Sequence, residues 1–147
     1  METRRVLIPI DNTETAAHVI KFASTILNKG DEIILFHVYS SVFDQSNLIM
    51  TGEYQEAILA LTDENQRVAQ ELLKKHIQSL LDMGYNARGI IQSGNIKELI
   101  DDTIQKEKID LIVMGKRSGL NPVHRLLLGS VSSHVLNSCH VPVLIVP

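Results

Sequence analysis

The chain has 147 residues, of which 44% are hydrophobic and 21% charged, as expected for one globular domain spanning residues 1–147. Its net charge of −3 argues against a general nucleic-acid-binding protein, and no apolar run approaches the roughly 20 residues that a membrane-spanning helix needs. The first residues do not match a secretory signal, and the single cysteine cannot form an internal disulfide. We therefore expect a cytoplasmic protein that binds neither nucleic acid nor membrane.

The first half of the chain alternates apolar runs with amphipathic helices. Residues 5–10 and 32–38 are built on apolar runs (the second with its centre at 33–36), which predict two strands that are buried on both faces. Between them, apolar residues recur at helical spacing and predict a helix that Gly30 ends. Residues 39–54 are polar and poorly periodic, as in many functional loops, and residues 55–83 predict a long helix.

The second half continues the same alternation. Residues 86–92, 109–114 and 141–146 predict three more strands, separated by helices over about 96–104 and 130–138. Strands that alternate with helices in this way imply an α/β fold, in which a parallel sheet carries helices on both faces. In such sheets, ligands bind beyond the carboxyl ends of the strands, where the strand order reverses.

The stretch after the fourth strand carries the main chemical signal. It begins at Gly115, contains two basic residues and Gly119, and enters a helix through Gly129, Ser130, Val131 and Ser132. Glycine lets the backbone approach an oxyanion closely, serine supplies hydroxyls, and the free N–H groups of a helix start favour anions. These features predict a phosphate-binding loop. Two alternatives stay open, namely that Ser130 only caps the helix and that the basic residues are solvated surface charges.

Motifs spread along the whole chain resemble those of the universal stress proteins. They are Pro9-Ile10-Asp11 after the first strand, His37-Val38 in the second, Met114-Gly115-x-Arg117 after the fourth, Arg125 to Ser132 with its Gly129-Ser130, and the terminal run from Val141 to Val146. The resemblance implies a single-domain, five-stranded parallel sheet in the order 3-2-1-4-5. This fold is similar to the Rossmann and adenine-nucleotide α-hydrolase folds.

The same resemblance implies a nucleotide site. One branch of the family binds ATP through the pattern Gly-x2-Gly-x9-Gly-Ser/Thr. This chain has nine residues between Gly119 and Gly129, but three rather than two between Gly115 and Gly119. The family roles imply that Asp11 lies by the ribose or adenine and that Val38 lies against the adenine ring. The residues expected to bind the nucleotide are Pro9, Ile10, Asp11, Val38, Met114, Gly115, Arg117, Gly119, Gly129, Ser130, Val131 and Ser132.

The function implied is that of an ATP-binding (or AMP- or ADP-binding) homodimeric sensor or regulator in the stress response, with Mg²⁺ on the phosphates. We expect no catalytic residue and no dedicated metal ligand, because the sequence offers no convincing base and no Walker loop. The alternatives are a slow ATPase and a nucleotide-free dimerisation module. The apolar strand over residues 141–146 would be an exposed sheet edge, through which we expect the homodimer to form.

Two histidines near interesting neighbours have simpler interpretations. His37 lies in an apolar strand, so we expect a buried, hydrogen-bonded side chain rather than a ligand. Cys139 and His140 are adjacent, but neighbouring strand residues point to opposite faces, so we do not expect a catalytic pair.

Overall fold

A computed structural model describes residues 2–11, 14–39, 53–116 and 129–147, with backbone only for residues 53–59. Strands and helices alternate through these ranges. They are β1 (Arg5–Pro9), α1 (Glu14–Ile26), β2 (Glu32–Tyr39), α2 (Glu53–Asp82), β3 (Asn86–Ser93), α3 (Ile96–Lys106), β4 (Leu111–Gly115), α4 (Ser130–Ser138) and β5 (Val143–Val146).

The strands form one parallel sheet in the order β3-β2-β1-β4-β5, which confirms the predicted α/β fold and strand order. The order in which successive strands are added to the sheet reverses between β1 and β4, although all the strands run parallel. The chain moves from β1 outward to β2 and β3, and then returns to β4 on the other side of β1. The carboxyl ends of β1 and β4 therefore flank the crevice where α/β sheets bind their ligands.

Alternate residues of the inner strands supply two separate cores. On one face, Val6 and Ile8 of β1 pack with Val19 of α1 and Leu80 of α2. On the other face, Leu7 of β1 belongs to a cluster with side chains from α3 and α4. Because both faces are covered, the central positions of β1 and β2, residues 6–8 and 33–36, are all apolar, with no alternation of polar residues.

The strand boundaries differ slightly from the sequence prediction. β5 begins at Val143 rather than residue 141, although the Pro142 carbonyl already accepts a hydrogen bond from the Ile112 N–H at 2.9 Å. Proline has no N–H, so the ladder at that position is incomplete. The predicted loop over residues 39–54 lies mostly outside the described residues, except that Tyr39 ends β2 and α2 starts at Glu53.

A buried carboxylate ties the amino-terminal ends of β1 and β2 together. Asp31 is 2% exposed and accepts hydrogen bonds from Arg4 at 3.1 and 2.6 Å and from the Asn28 N–H at 2.9 Å. The Arg4 hydrogen bonds hold the pKa of Asp31 below its usual value, against the opposing effect of burial. This ion pair stabilises the end of the sheet that lies opposite the crevice.

We expect Asp31→Asn to lower the free energy of unfolding at pH 7 by about 1–3 kcal/mol, the usual cost of losing hydrogen bonds to a buried charge. A carboxylate with a lowered pKa contributes stability above its ordinary pKa and loses that contribution as the pH falls through its folded pKa. The difference between wild type and variant should therefore shrink below about pH 4. Urea titrations at pH 7 and pH 3 measure it.

Asp102→Asn is the matched control, because Asp102 pairs with Lys106 on an exposed helix face. Such surface pairs contribute about 0–1 kcal/mol, so this variant should unfold almost like wild type at both pH values. An Asp31→Asn destabilisation of equal size at pH 7 and pH 3 would contradict the assignment of the effect to the charge.

Candidate functional site

A cavity of about 310 Å³ lies at the carboxyl ends of β1 and β4, at the reversal of strand order. Its volume falls at the small end of the roughly 300–1,000 Å³ typical of ligand pockets. The end of β1 with the two residues after it, the end of β4 and the beginnings of three helices form its wall. They are Pro9, Ile10, Asp11, Thr15, Ala16, Val19, Ile96, Met114, Gly115, Gly129, Ser130, Val131 and Ser132.

Nine of the twelve residues expected to bind nucleotide line this one cavity. The exceptions are Val38, Arg117 and Gly119. Val38 is half-buried at the end of β2 and packs against the core cluster that contains Met114. Arg117 and Gly119 lie outside the described residues. The structure thus brings together residues that are up to 123 positions apart in sequence (Pro9 to Ser132), while their role in binding stays a prediction.

Four lining residues were missed by the sequence analysis. Thr15, Ala16 and Val19 lie in the first turns of α1, and Ile96 is the first residue of α3. The available signal was the short connection from β1 to α1, which forces the beginning of the helix to lie beside the strand end.

The beginning of α4 leaves its backbone donors unused by the helix. Gly129 is the N-cap, in extended conformation (φ −61°, ψ 161°), and its carbonyl accepts from the Ser133 N–H at 2.9 Å. Within the described residues, no side chain caps this end. The first three helical N–H groups, those of Ser130, Val131 and Ser132, therefore have no partner within the helix, and the helix dipole favours an anion beside them.

The cap position decides one of the alternatives left open by the sequence. Ser130 is the first helical residue, one position after the N-cap, and it is exposed at the cavity wall. Ser132 is only 5% exposed and also lines the cavity. Ser130 is therefore not the cap of α4, and both serines flank the site where the helix would receive an anion.

Gly115 has a packing role that the sequence did not indicate. A Cβ at this position would lie 2.9 Å from the Cγ2 atoms of both Thr15 and Val19. Real Cβ contacts are never this short, so glycine is what allows α1 to pack so closely against the end of β4. The sequence pattern predicts a glycine that an oxyanion approaches, whereas the close neighbour in the structure is helix α1.

Within residues 2–11, 14–39, 53–116 and 129–147, no three carboxylate, imidazole or thiol side chains are grouped so that they could hold a metal ion. No helix of these same ranges is long and apolar enough to cross a membrane.

The half-buried Cys139 thiol lies 3.3 Å from the Val141 carbonyl, to which it donates, while His140 is exposed. The thiol hydrogen bond is thus made to the backbone.

Gly115→Ala tests the packing role of Gly115. We expect it to destabilise the protein by about 1–3 kcal/mol, because the added methyl group overpacks the contact with α1. Gly30→Ala is the control, since a Cβ there would meet nothing within 4 Å, and it should change stability by less than about 1 kcal/mol. Thermal unfolding of both variants measures the difference, and equal melting temperatures would contradict the close contact.

Known proteins similar to this chain include universal stress proteins. The model of the universal stress protein family matches residues 2–147. Universal stress protein MJ0577 of Methanocaldococcus jannaschii is 28% identical, and the match covers 97% of this chain and 94% of the relative. Universal stress protein Sll1388 of Synechocystis is also 28% identical, with 97% of this chain and 96% of the relative covered.

Solved structures resemble the chain over its full length. The structure of MJ0577 matches with a TM-score of 0.82 and 27% identity, and it covers 99% of this chain and 96% of that one. Two more distant structures share the fold. A universal stress protein family protein of Arabidopsis thaliana with AMP bound has a TM-score of 0.68, 15% identity and coverage of 97% and 90%. The Archaeoglobus fulgidus protein in complex with dAMP has a TM-score of 0.63, 16% identity and full coverage of both chains (100%).

Proposed function

Because this chain belongs to the universal stress protein family, we propose that it binds an adenine nucleotide (ATP, ADP or AMP) in the cavity between β1 and β4. The observation that carries the proposal is the convergence of nine expected nucleotide-binding residues on one cavity at the reversal of strand order. The AMP and dAMP complexes of two proteins with this fold support the choice of ligand class.

The phosphates belong at the beginning of α4. The N–H groups of its first turn have no partner within the helix, and Ser130 and Ser132 line the cavity beside them. Backbone donors at a helix start, together with the helix dipole, are a well-suited anion site. Mg²⁺ would arrive with the phosphates, since this ion keeps phosphate oxygens and water among its ligands and needs few protein groups.

The nucleoside belongs at the ends of β1 and β2. The ladder pairs Pro9 with Phe36, and the Ile10 N–H donates to the Phe36 carbonyl at 2.8 Å. Continued by two residues, the same register would place Asp11 opposite Val38. A ribose near Asp11 would then place the base over Val38, as the family resemblance implies.

We propose that the nucleotide regulates the protein, in a stress response, rather than being turned over. Phosphoryl transfer needs a group that orients the nucleophile in addition to charge near the phosphates. Among the described residues that line the cavity, Asp11 is the only one with an ionisable side chain. One carboxylate suits ligand recognition, whereas efficient hydrolysis would need a second ionisable group that orients the nucleophile.

Ser130→Asp tests the phosphate position. A carboxylate in the first turn favours the helix dipole, so α4 should remain folded, but it would repel a phosphate only a few ångströms away. We expect affinity for Mg²⁺–ATP, measured by calorimetry, to fall about tenfold or more, because each 1.4 kcal/mol of repulsion corresponds to a factor of ten.

Ser133→Asp is the matched control, because Ser133 lies in the same first turn of α4 but not in the cavity wall. It should keep near wild-type affinity, and GTP should bind wild type more weakly than ATP. Equal affinity of the Ser130 and Ser133 variants would place the phosphates elsewhere. No binding of any adenine nucleotide to wild type at millimolar concentration would refute the proposed function.

We also propose that the protein is a homodimer through β5. This strand is at one edge of the sheet and has β4 as its partner. Since the Pro142 and Val146 carbonyls accept from β4 and its extension, the backbone groups of Val143 and Ile145 point toward the open edge. Open apolar edges pair readily with another strand. Leu136 of the preceding helix α4 is also 43% exposed.

Val143→Pro tests this interface without breaking the bond to β4. Val143 is the first residue of β5 and its N–H points outward, so proline is compatible with the fold but removes a donor from the open edge. We expect the variant to be monomeric at micromolar concentration in sedimentation velocity, with a wild-type circular dichroism spectrum. A wild type that is itself monomeric would refute the interface.

A further inference from the structure

A histidine is buried beside the cavity without lining it. His37 of β2 is 6% exposed, and its Nδ1 lies 2.8 Å from the carbonyl oxygen of Ile10. A carbonyl can only accept a hydrogen bond, so the Nδ1 atom carries the proton. The buried, hydrogen-bonded histidine predicted from the sequence is thus confirmed. The acceptor of this hydrogen bond, Ile10, lines the cavity, so the bond connects His37 to the cavity wall.

The hydrogen bond from His37 replaces a bond of the sheet. β1 pairs with β2 as far as Pro9, and the Ile10 N–H still donates to the Phe36 carbonyl at 2.8 Å. In a regular parallel ladder, the Ile10 carbonyl would next accept from the Val38 N–H. In the described part of the chain, that bond is not made. The Ile10 carbonyl accepts a hydrogen bond from the imidazole of His37 instead.

Two consequences follow for the edge of the cavity. Both backbone groups of Ile10 are held by β2, so the peptide that leads into Asp11 has a fixed orientation. In addition, the Val38 N–H is not consumed by the sheet, although it points toward the β1 side as the Phe36 carbonyl does. A donor at the end of β2 is thereby kept beside the carboxylate at the end of β1.

We infer that His37 is a positioning residue of the nucleotide site, which orients Asp11 and keeps the Val38 N–H available for the ligand. This inference rests on the proposed nucleotide binding. Packing alone would not select an imidazole here, because the four preceding residues of β2, 33–36, are large, apolar and fully buried. Burial of an imidazole is unfavourable unless it is hydrogen-bonded, and its hydrogen bond is made at the cavity.

His37→Leu and His37→Asn separate positioning from packing. Leucine fills the space but has no donor, whereas the asparagine amide places an N–H close to the position of Nδ1. We expect the leucine variant to lose about tenfold in affinity for Mg²⁺–ATP, and the asparagine variant to stay within about threefold of wild type. Calorimetry measures the affinity, and thermal unfolding measures the stability of the same samples.

A double-mutant cycle with Asp11→Ala shows whether His37 acts through Asp11. If it does, His37→Leu should cost much less affinity in the Asp11→Ala background than in wild type, because coupled residues are not additive. Additive losses, wild-type affinity in His37→Leu, or equal losses in the leucine and asparagine variants would overturn the inference.

The proton position gives a test that needs no ligand. In ¹⁵N-labelled protein, long-range imidazole correlations should show the proton of neutral His37 on Nδ1, and a proton on Nε2 would overturn the hydrogen bond. Failure of the proposed function is recognised separately, since wild type would then bind no adenine nucleotide, and the inference would fall with it. Wild-type binding with unchanged His37 variants removes only the inference.

Discussion

The pairing of β1 with β2 on one side and β4 on the other is the constraint on which the rest of the molecule depends. A strand in this position has helices on both faces, so its side chains must be apolar throughout, and polar groups are displaced to its two ends. At the amino-terminal end, the buried carboxylate of Asp31 pairs with the partly exposed Arg4 side chain. At the carboxyl-terminal end, the backbone turns away and leaves a cavity.

The two ends of the sheet differ in how their polar groups are satisfied. At the amino-terminal end, the protein itself supplies the hydrogen-bond partners of the Asp31 carboxylate, and these bonds outweigh the unfavourable effect of burying its charge. At the carboxyl-terminal end, the first turn of α4 presents N–H groups that the helix cannot satisfy, and no side chain in the described residues caps them. Under the proposed function, a ligand anion would satisfy that end as Arg4 satisfies the other.

The contact between α1 and β4 is tightly packed, although it lies beside the cavity. α1 approaches β4 so closely that Gly115 has no room for a side chain, whereas a few residues away the wall encloses about 310 Å³. A rigid contact of this kind keeps the two sides of the crevice at a constant separation. The hydrogen bond between His37 and Ile10 adds a second restraint, on the segment that carries Asp11. The site is thus built from strand and helix ends that the core holds in place.

Much of this was accessible from local sequence patterns. The apolar runs and helical stripes predicted all five strands and their intervening helices, because burial on both faces leaves a signal in consecutive residues. The family motifs pointed to residues that the structure collects at one cavity, and the strand order that the resemblance implied is the observed one. Boundaries at β5 were less accurate, since Pro142 contributes a carbonyl but no N–H to the ladder.

By itself, the sequence determined the α/β alternation, the buried strands and the chemical character of the Gly129 to Ser132 segment, because these depend on residues that are close along the chain. Only the tertiary structure decided that Thr15 and Ile96 border the cavity, that Gly115 serves the packing of α1, and that His37 holds the Ile10 carbonyl. Each of these depends on a contact between residues distant in sequence. The distance and direction of such contacts are set by how the helices pack across the sheet, which no local pattern encodes.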